Sequence, residues 1–353
     1  MVGKVGVLGS GSFGLTVSKL LSINVDVLMY TRSESVATQI NEQHSLLGFD
    51  VDPRVMATTN LAEVCEQCDV LFPVVPSSAF RSMMQLTSPF LRPDHIMIHA
   101  TKGLDISKIK DSDFLSGNFD RHDVNTMTEV ITQETNVIRV GCLSGPNLAK
   151  EILQGLPAAT LIASEFDEVI KVGQDIMASK LFAVFGSHDL KGAEIAGAYK
   201  NIIAIASGMG HGLELGKNMQ ALLITRGLNE MVDFGIALGV SGQAFLGVAG
   251  IGDMIATAMS SDSRNFTFGY RFAKQETLEE ILKSSTEVIE GINTLKIIHQ
   301  LALREKISMP ITYTLYRVIF EGINIKRALT HLMSYSYVND VDFQISKGAP
   351  TRE

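Results

Sequence analysis

The sequence predicts an α/β fold: a doubly wound parallel sheet covered by helices, followed by an all-helical second domain. Three observations carry this expectation. Short apolar runs alternate with amphipathic segments through the first half of the chain, the βα rhythm of a parallel sheet. A glycine-rich turn follows the first apolar run and leads into a helix-like segment. From about Lys191 onward the strand signals stop and only helical periodicity remains.

The strand candidates are "KVGVLG", "VDVLMY", "RVMATT", "DVLFPVV", "HIMIHAT", "VIRVGCLS", "AATLIAS" and "LFAVFGS". Beyond them, helices are expected over 194–209, 218–238, 266–275, 278–283, 292–306 and 311–320, with further turns to 333. No repeat or Pro-rich linker separates the halves. The change of period alone sets the domains, 1–190 for the dinucleotide and 191–353 for substrate and catalysis. The polar stretch 107–125 is expected to be a long loop or surface insertion.

Composition narrows the class. With 353 residues, 46% of them hydrophobic, the chain can bury roughly two domain cores. Its 30 Lys+Arg stand against 38 Asp+Glu, a net charge of -8, and no basic run offers a nucleic-acid footprint. Neither a signal-peptide pattern nor an apolar run of ~18 residues is seen, so a soluble, cytoplasmic protein is expected. Cys65, Cys68 and Cys142 are an odd count. "CEQC" ends a helix-like stretch instead of opening one, so small buried thiols are expected. The eight histidines, His44, His95, His99, His122, His188, His211, His299 and His331, show no metal-ligand spacing, and no metal is expected.

"VLGSGSFG" sets Gly9, Gly11 and Gly14 between the first strand and the helix that follows. In a Rossmann-type βαβ unit these glycines permit a tight turn, close approach of a pyrophosphate, and close helix–strand packing, while the helix N-terminus holds the phosphates. The second strand ends in Tyr30-Thr31-Arg32-Ser33, with no acid before Glu34. An acid at this point grips the ribose 2′-hydroxyl of NAD, whereas an arginine accommodates a 2′-phosphate. NADPH is therefore expected to be accepted, with NADH beside it.

Ligands of open α/β sheets sit beyond the carboxyl ends of the strands. Lys102 ends one strand in "TKGL", and Ser144 to Asn147 form a turn in "SGPNLAKE", together a candidate anion site. In the second half, "GIGD" carries Asp253 and is followed by Ser263, Arg264 and Asn265 just before a helix. Ser263 is a natural N-cap. An arginine in a first turn opposes the macrodipole unless an anion intervenes, which makes Arg264 a phosphate candidate. Lys200 lies in the middle of the apolar "EIAGAYKNIIAIASGMG", and a lysine is seldom fully buried without a partner. Apolar surroundings and a second cation would draw it toward the neutral form that a general base needs.

In their order, "GSGSFG", "TKGL", "SGPNLAKE", "EIAGAYKNIIAIASG", "ALLITRGLNEM", "FLGVAGIGDMIAT", "SRNFTFG" and "VIEGINTLK" resemble the bacterial-type NAD(P)-dependent glycerol-3-phosphate dehydrogenase family over nearly the whole chain. The resemblance implies a helical second domain like the C-terminal domain of 6-phosphogluconate dehydrogenase, NADP(H) and/or NAD(H) as cofactor, and a homodimer. It also implies glycerol 3-phosphate supply for phospholipids. Lys200 would be the proton acceptor. Lys102, Gly145, Asn147, Asp253, Ser263, Arg264 and Asn265 would surround glycerol 3-phosphate, with Lys102 also polarising the carbonyl of dihydroxyacetone phosphate. Ser12, Phe13, Arg32, Lys102, Ala149, Arg264 and Glu290 would line the cofactor. Phe13 stands where the family often has Trp or Tyr, and Asn147 where Ser or Thr is usual. Two other readings fit parts of the pattern. A dehydrogenase of a 3-hydroxy acid or ketopantoate-like substrate would tolerate substrates lacking phosphate. A dinucleotide-sensing regulator would need no lysine base.

Overall fold

The computed structural model describes residues 3–334; the last part of the expected second domain, 335–353, lies outside the described residues. The chain divides into two compact units. The first comprises the chain up to Lys110 together with His122–Leu190, and the second Asp111–Arg121 together with the chain from Lys191.

In chain order the first unit begins with β1 (Lys4–Leu8), α1 (Ser12–Leu21), β2 (Asp26–Tyr30), α2 (Glu34–Gln43), the short strands β3 (Ser45–Leu46) and β4 (Phe49–Asp50), and β5 (Val55–Thr58). Then follow α3 (Leu61–Gln67), β6 (Val70–Pro73), α4 (Ser77–Thr87) and β7 (Ile96–His99). After α5 (Asp111–Ser116), which groups with the second unit, come α6 (Met127–Glu134), β8 (Arg139–Ser144), α7 (Ala149–Leu153), β9 (Ala158–Ser164), α8 (Asp167–Met177) and β10 (Phe182–Ser187). All eight expected strands lie in one sheet of order β10-β9-β8-β7-β6-β1-β2-β5, while β3 and β4 pair as a separate small hairpin.

The central strands place apolar residues on both faces because both faces are covered. Val5, Val7, Val27, Met29, Val70, Phe72, Ile96 and Ile98 enter one core cluster. The residues between them, Leu28, Leu71 and Met97, enter the other, with Leu8. This is the two-residue period of a strand read on both sides.

The sheet is dominated by parallel pairs, as expected, with one exception. The sheet is not parallel throughout, because β9 runs antiparallel to β8. The reason is the length of α7. A parallel crossover must carry the chain back along the strand, ~20 Å for six residues, while the five residues of α7 rise only ~7.5 Å. The longer α8 makes that journey, and β10 pairs parallel with β9.

The second unit contains α9 (Leu190–Gly212), α10 (Gly216–Ala237), α11 (Asp253–Met259), α12 (Arg264–Ala273), α13 (Leu278–Ser284), α14 (Glu290–Glu305), α15 (Pro310–Phe320) and α16 (Ile325–Met333). Residues 192–209 of α9 are all buried, which explains a helix apolar on every side. Glycines bring its neighbours close. A Cβ at Gly208 would lie 2.0 Å from the Phe266 carbonyl oxygen, and one at Gly269 would lie 2.1 Å from that of Ile205. The stretch 107–125 is not a plain loop. It forms α5, whose first turn carries Asp111 and Asp113 in favour of the macrodipole. Phe114 and Phe119 are buried and stack at 5.5 Å. Arg304 of α14 donates to the Phe119 carbonyl and pairs with Asp120 at 3.3 Å. No described helix is long and apolar enough to cross a membrane.

Candidate active site

In the first unit the glycine motif joins β1 to α1. Gly9 has φ +133°, and a Cβ there would meet the Val74 carbonyl oxygen at 2.3 Å. Gly14 would meet the Gly9 carbonyl oxygen at 2.0 Å. Gly11 differs: its φ of -73° and ψ of -179° suit any residue, and nothing lies within 4 Å of its Cβ direction. Neither backbone strain nor packing requires glycine there. Space for an approaching group does, and α1 begins without a side-chain cap or acidic first-turn residue, as suits a helix start that faces an anion. These features fit a dinucleotide pyrophosphate. Phe13 is half-buried against the apolar core beside them.

At the end of β2, Ser10 donates to Thr31 through its hydroxyl at 2.8 Å, and Arg32 is exposed. Glu34 accepts from the Thr59 hydroxyl at 2.5 Å, so the nearest acid is engaged within α2's first turn. At the ends of β7 and β8, Lys102 donates through Nζ to the Gly145 carbonyl at 2.9 Å, which joins two of the expected residues. Asn147 donates through Nδ2 to Thr160 at 2.9 Å, and Thr160 donates to the Ser144 carbonyl at 3.2 Å. Asn147 Oδ1 and Ser144 Oγ are buried without a hydrogen-bond partner, unusual for polar atoms. Ala149 opens α7 next to them.

In the second unit, Lys200 on α9 is 7% exposed and Asp253 at the start of α11 is 1% exposed. Lys200 Nζ donates to Asp253 Oδ1 and, at 2.8 Å, to the Thr257 hydroxyl, which donates on to Asp253 at 3.1 Å. The apolar surroundings expected for this lysine thus include a carboxylate and a hydroxyl. An opposite charge favours the ammonium and offsets its desolvation. The turn before α11 is a short π-helical segment, Val248–Gly252, which delivers Asp253 to this point. Beside Lys200, Asn201 Oδ1 accepts from Asn265 Nδ2 at 2.8 Å, and Asn265 Oδ1 accepts from the Gly291 N–H at 2.9 Å. That bond ties α9, α12 and α14, and a Cβ at Gly291 would lie 2.6 Å from Asn265 Oδ1.

Ser263 caps α12, accepting from the Phe266 N–H at 3.3 Å. Arg264 in the first turn pairs with Glu287 at 2.7 Å, both half-exposed. Glu290 begins α14. Thr257, Asn201 and Thr160 were not singled out from sequence. The i, i+4 spacing of Asp253 and Thr257 in "GDMIAT" was available as a signal, since it puts both on one helix face. Thr160 gives none, because its partners come from strand pairing.

Comparison with known proteins covers both units. A family model described as NAD-dependent glycerol-3-phosphate dehydrogenase N-terminus matches residues 4–170, and the corresponding C-terminus model matches 189–330. The chain is 37% identical over 346 residues to a glycerol-3-phosphate dehydrogenase (NAD(P)+) of Teredinibacter turnerae, covering 97% of each. It is 36% identical over 345 residues to that of Acinetobacter baylyi, covering 96% of this chain and 92% of the other. Among solved structures it resembles glycerol-3-phosphate dehydrogenase of Coxiella burnetii, with TM-score 0.83, 27% identity, and coverage of 95% and 99%. A putative ketopantoate reductase of Ralstonia solanacearum shares the fold alone, at TM-score 0.56 and 12% identity.

Proposed function

The chain belongs to the NAD-dependent glycerol-3-phosphate dehydrogenase family, and from that premise we propose that it interconverts sn-glycerol 3-phosphate and dihydroxyacetone phosphate with Lys200 as general acid and base. The nicotinamide of NADP(H) or NAD(H), when bound, supplies or takes the hydride. Gly9, Gly11, Ser12, Phe13, Gly14, Arg32, Ala149 and Glu290 hold the cofactor, and Lys102, Gly145, Asn147, Asp253, Ser263, Arg264 and Asn265 surround the substrate.

The observation that carries the reading is the buried set of Lys200, Asp253 and Thr257. In reduction the carbonyl oxygen needs a proton as the carbon is reduced. Asp253 and Thr257 orient the lysine, and Asp253 stabilises the ammonium that gives this proton. In oxidation the neutral amine takes it back. Lys102 adds a positive charge that polarises the carbonyl. Arg264 exchanges the exposed carboxylate of Glu287 for the substrate phosphate, a dianion it can bind bidentately. The phosphate requirement separates this reaction from that of hydroxy-acid dehydrogenases sharing the fold. The enzyme works in the cytoplasm as a homodimer, in the direction that supplies glycerol 3-phosphate for phospholipid synthesis.

The test is the loss of nicotinamide absorbance with dihydroxyacetone phosphate and either NADPH or NADH, with unphosphorylated dihydroxyacetone as control. Rapid, phosphate-dependent oxidation is expected. Use of NADPH should fall relative to NADH in Arg32→Ala. Silence from folded, dinucleotide-binding protein would refute the reading.

A further inference from the structure

A second concavity lies in the helical unit, at the C-terminal ends of α9 and α12, whereas Lys200 stands at the middle of α9 and Arg264 at the start of α12. Its volume is about 340 Å³, and it is lined by His211, Glu214, Lys217, Gln220, Tyr270 and Lys274 among others. That volume exceeds the need of an inorganic ion and lies in the range of small-molecule sites (about 300–1,000 Å³). On a chain of net charge -8, two lysines and a histidine converge here with one carboxylate. Lys274 pairs with Glu214 at 3.3 Å, and its Nζ lies 5.8 Å from the Tyr270 ring centre. Lys217 has no carboxylate partner among the described residues and donates to Gln220 at 3.0 Å. It also stands in the first turn of α10, which holds no acidic residue, where the macrodipole disfavours a cation unless an anion is bound.

We propose that this cavity binds a phosphomonoester and regulates the catalytic lysine. The phosphate meets Lys217 and Lys274, with His211 beside them, and the carbon skeleton lies on the Tyr270 face. Regulation rests on the reading of Lys200 as acid and base; binding does not. The coupling runs through Gln220. This buried side chain accepts from Lys217 and donates to the Ser207 hydroxyl at 2.7 Å and the Ala258 carbonyl at 2.9 Å. Ser207 belongs to α9, the helix of Lys200. Ala258 follows Thr257, which receives the Lys200 hydrogen bond. A phosphate that draws Lys217 from Gln220 thus changes the hold of a positioning residue on both helices that frame the catalytic amine.

The experiment is calorimetric titration of the full chain with glucose 6-phosphate and with inorganic phosphate, paired with turnover measured with and without each. Saturable binding of glucose 6-phosphate is expected, weakened roughly tenfold or more in Lys217→Met and in Lys274→Met, as loss of a charge-assisted bond implies. Without the sugar phosphate, turnover of Lys274→Met should match the parent. Lys217→Met, which has already lost the bond to Gln220, should instead show the altered turnover and no further response to the sugar phosphate. In the parent, the sugar phosphate should change turnover by about fivefold or more, a typical coupling. Gln220→Leu should keep the binding and lose that change. Absence of saturable binding, or binding that ignores both lysines and disappears in Arg264→Ala, would overturn the site. Binding with unchanged turnover in an active enzyme would overturn the coupling. If the parent turns over no dihydroxyacetone phosphate, calorimetry still decides the site independently.

Discussion

Lys200 is tolerated in a helix without an exposed face because Asp253 and Thr257 meet its ammonium. In the proposed mechanism the same pair orients it for proton transfer. Replacing it by alanine should lower turnover by ~10²–10⁴-fold, the usual contribution of a positioned acid or base, while NADPH binding followed by cofactor fluorescence stays near that of the parent. Near-normal turnover would remove Lys200 from the mechanism. The three motif glycines separate fold from ligand in the same way. Gly14→Ala must push against the Gly9 carbonyl oxygen and should destabilise the protein by ~1–3 kcal/mol, the range for overpacking. Gly11→Ala meets nothing, so its thermal midpoint should stay within a degree or two of the parent while dinucleotide affinity falls. Equal stability losses in both would show that Gly11 is a packing glycine. Lys200, Asp253 and the glycines were legible because chemistry out of place announces itself: a lysine among apolar residues, or glycines in a fixed order. The Arg264–Glu287 pair was not, since residues 23 apart meet only when the segment between α13 and α14 folds back to the start of α12.

The βα rhythm was legible at the scale of elements because strands buried on both faces need apolar residues at successive positions, as the middles of β1, β2, β6 and β7 have. The reversal at β9 was less so. It depends on how far a short helix can travel, and the sequence of α7 reads like that of any helix start. The stretch 107–125 misled for another reason: its polar composition outweighed Phe114 and Phe119, whose burial depends on partners distant in sequence. Packing of α9 on α12 yields a prediction of its own. Gly208→Ala places a methyl group 2.0 Å from the Phe266 carbonyl and should lower stability by ~1–3 kcal/mol. Two residues on, Gly210→Ala meets only an ordinary contact at 3.5 Å. There alanine's better helix propensity, up to ~1 kcal/mol, should leave stability unchanged or raised. Thermal unfolding followed by circular dichroism compares them directly, and equal losses would contradict the close approach of the two helices.

For the whole molecule, two buried groups of the helical unit bound the pH range of stability from opposite sides. His299 stacks on Tyr316 with ring centres 3.6 Å apart, its Nδ1 buried without a hydrogen-bond partner, and burial pushes its pKa down to about 4. Between about pH 6.5 and 4 the unfolded chain binds a proton that the folded chain refuses, so stability falls as the pH drops through that window. Glu230 accepts from Tyr199, from both the N–H and hydroxyl of Thr312, and from the Ile311 N–H. Burial pushes its carboxyl up to about 7. A raised pKa stabilises fully below the unfolded value near 4.5, and that contribution is lost as the pH rises through about 7. Between about pH 4.5 and 6.5 the two contributions oppose each other, so stability should be highest and nearly level there and fall on either side. His299→Phe keeps an aromatic partner for Tyr316 and removes the titration. Urea midpoints read by circular dichroism from pH 4 to 8 should show its acid limb flattened and its alkaline decline beginning near pH 4.5, where the histidine no longer offsets Glu230. An acid limb as steep as the parent's would mean that His299 is not the group that titrates there.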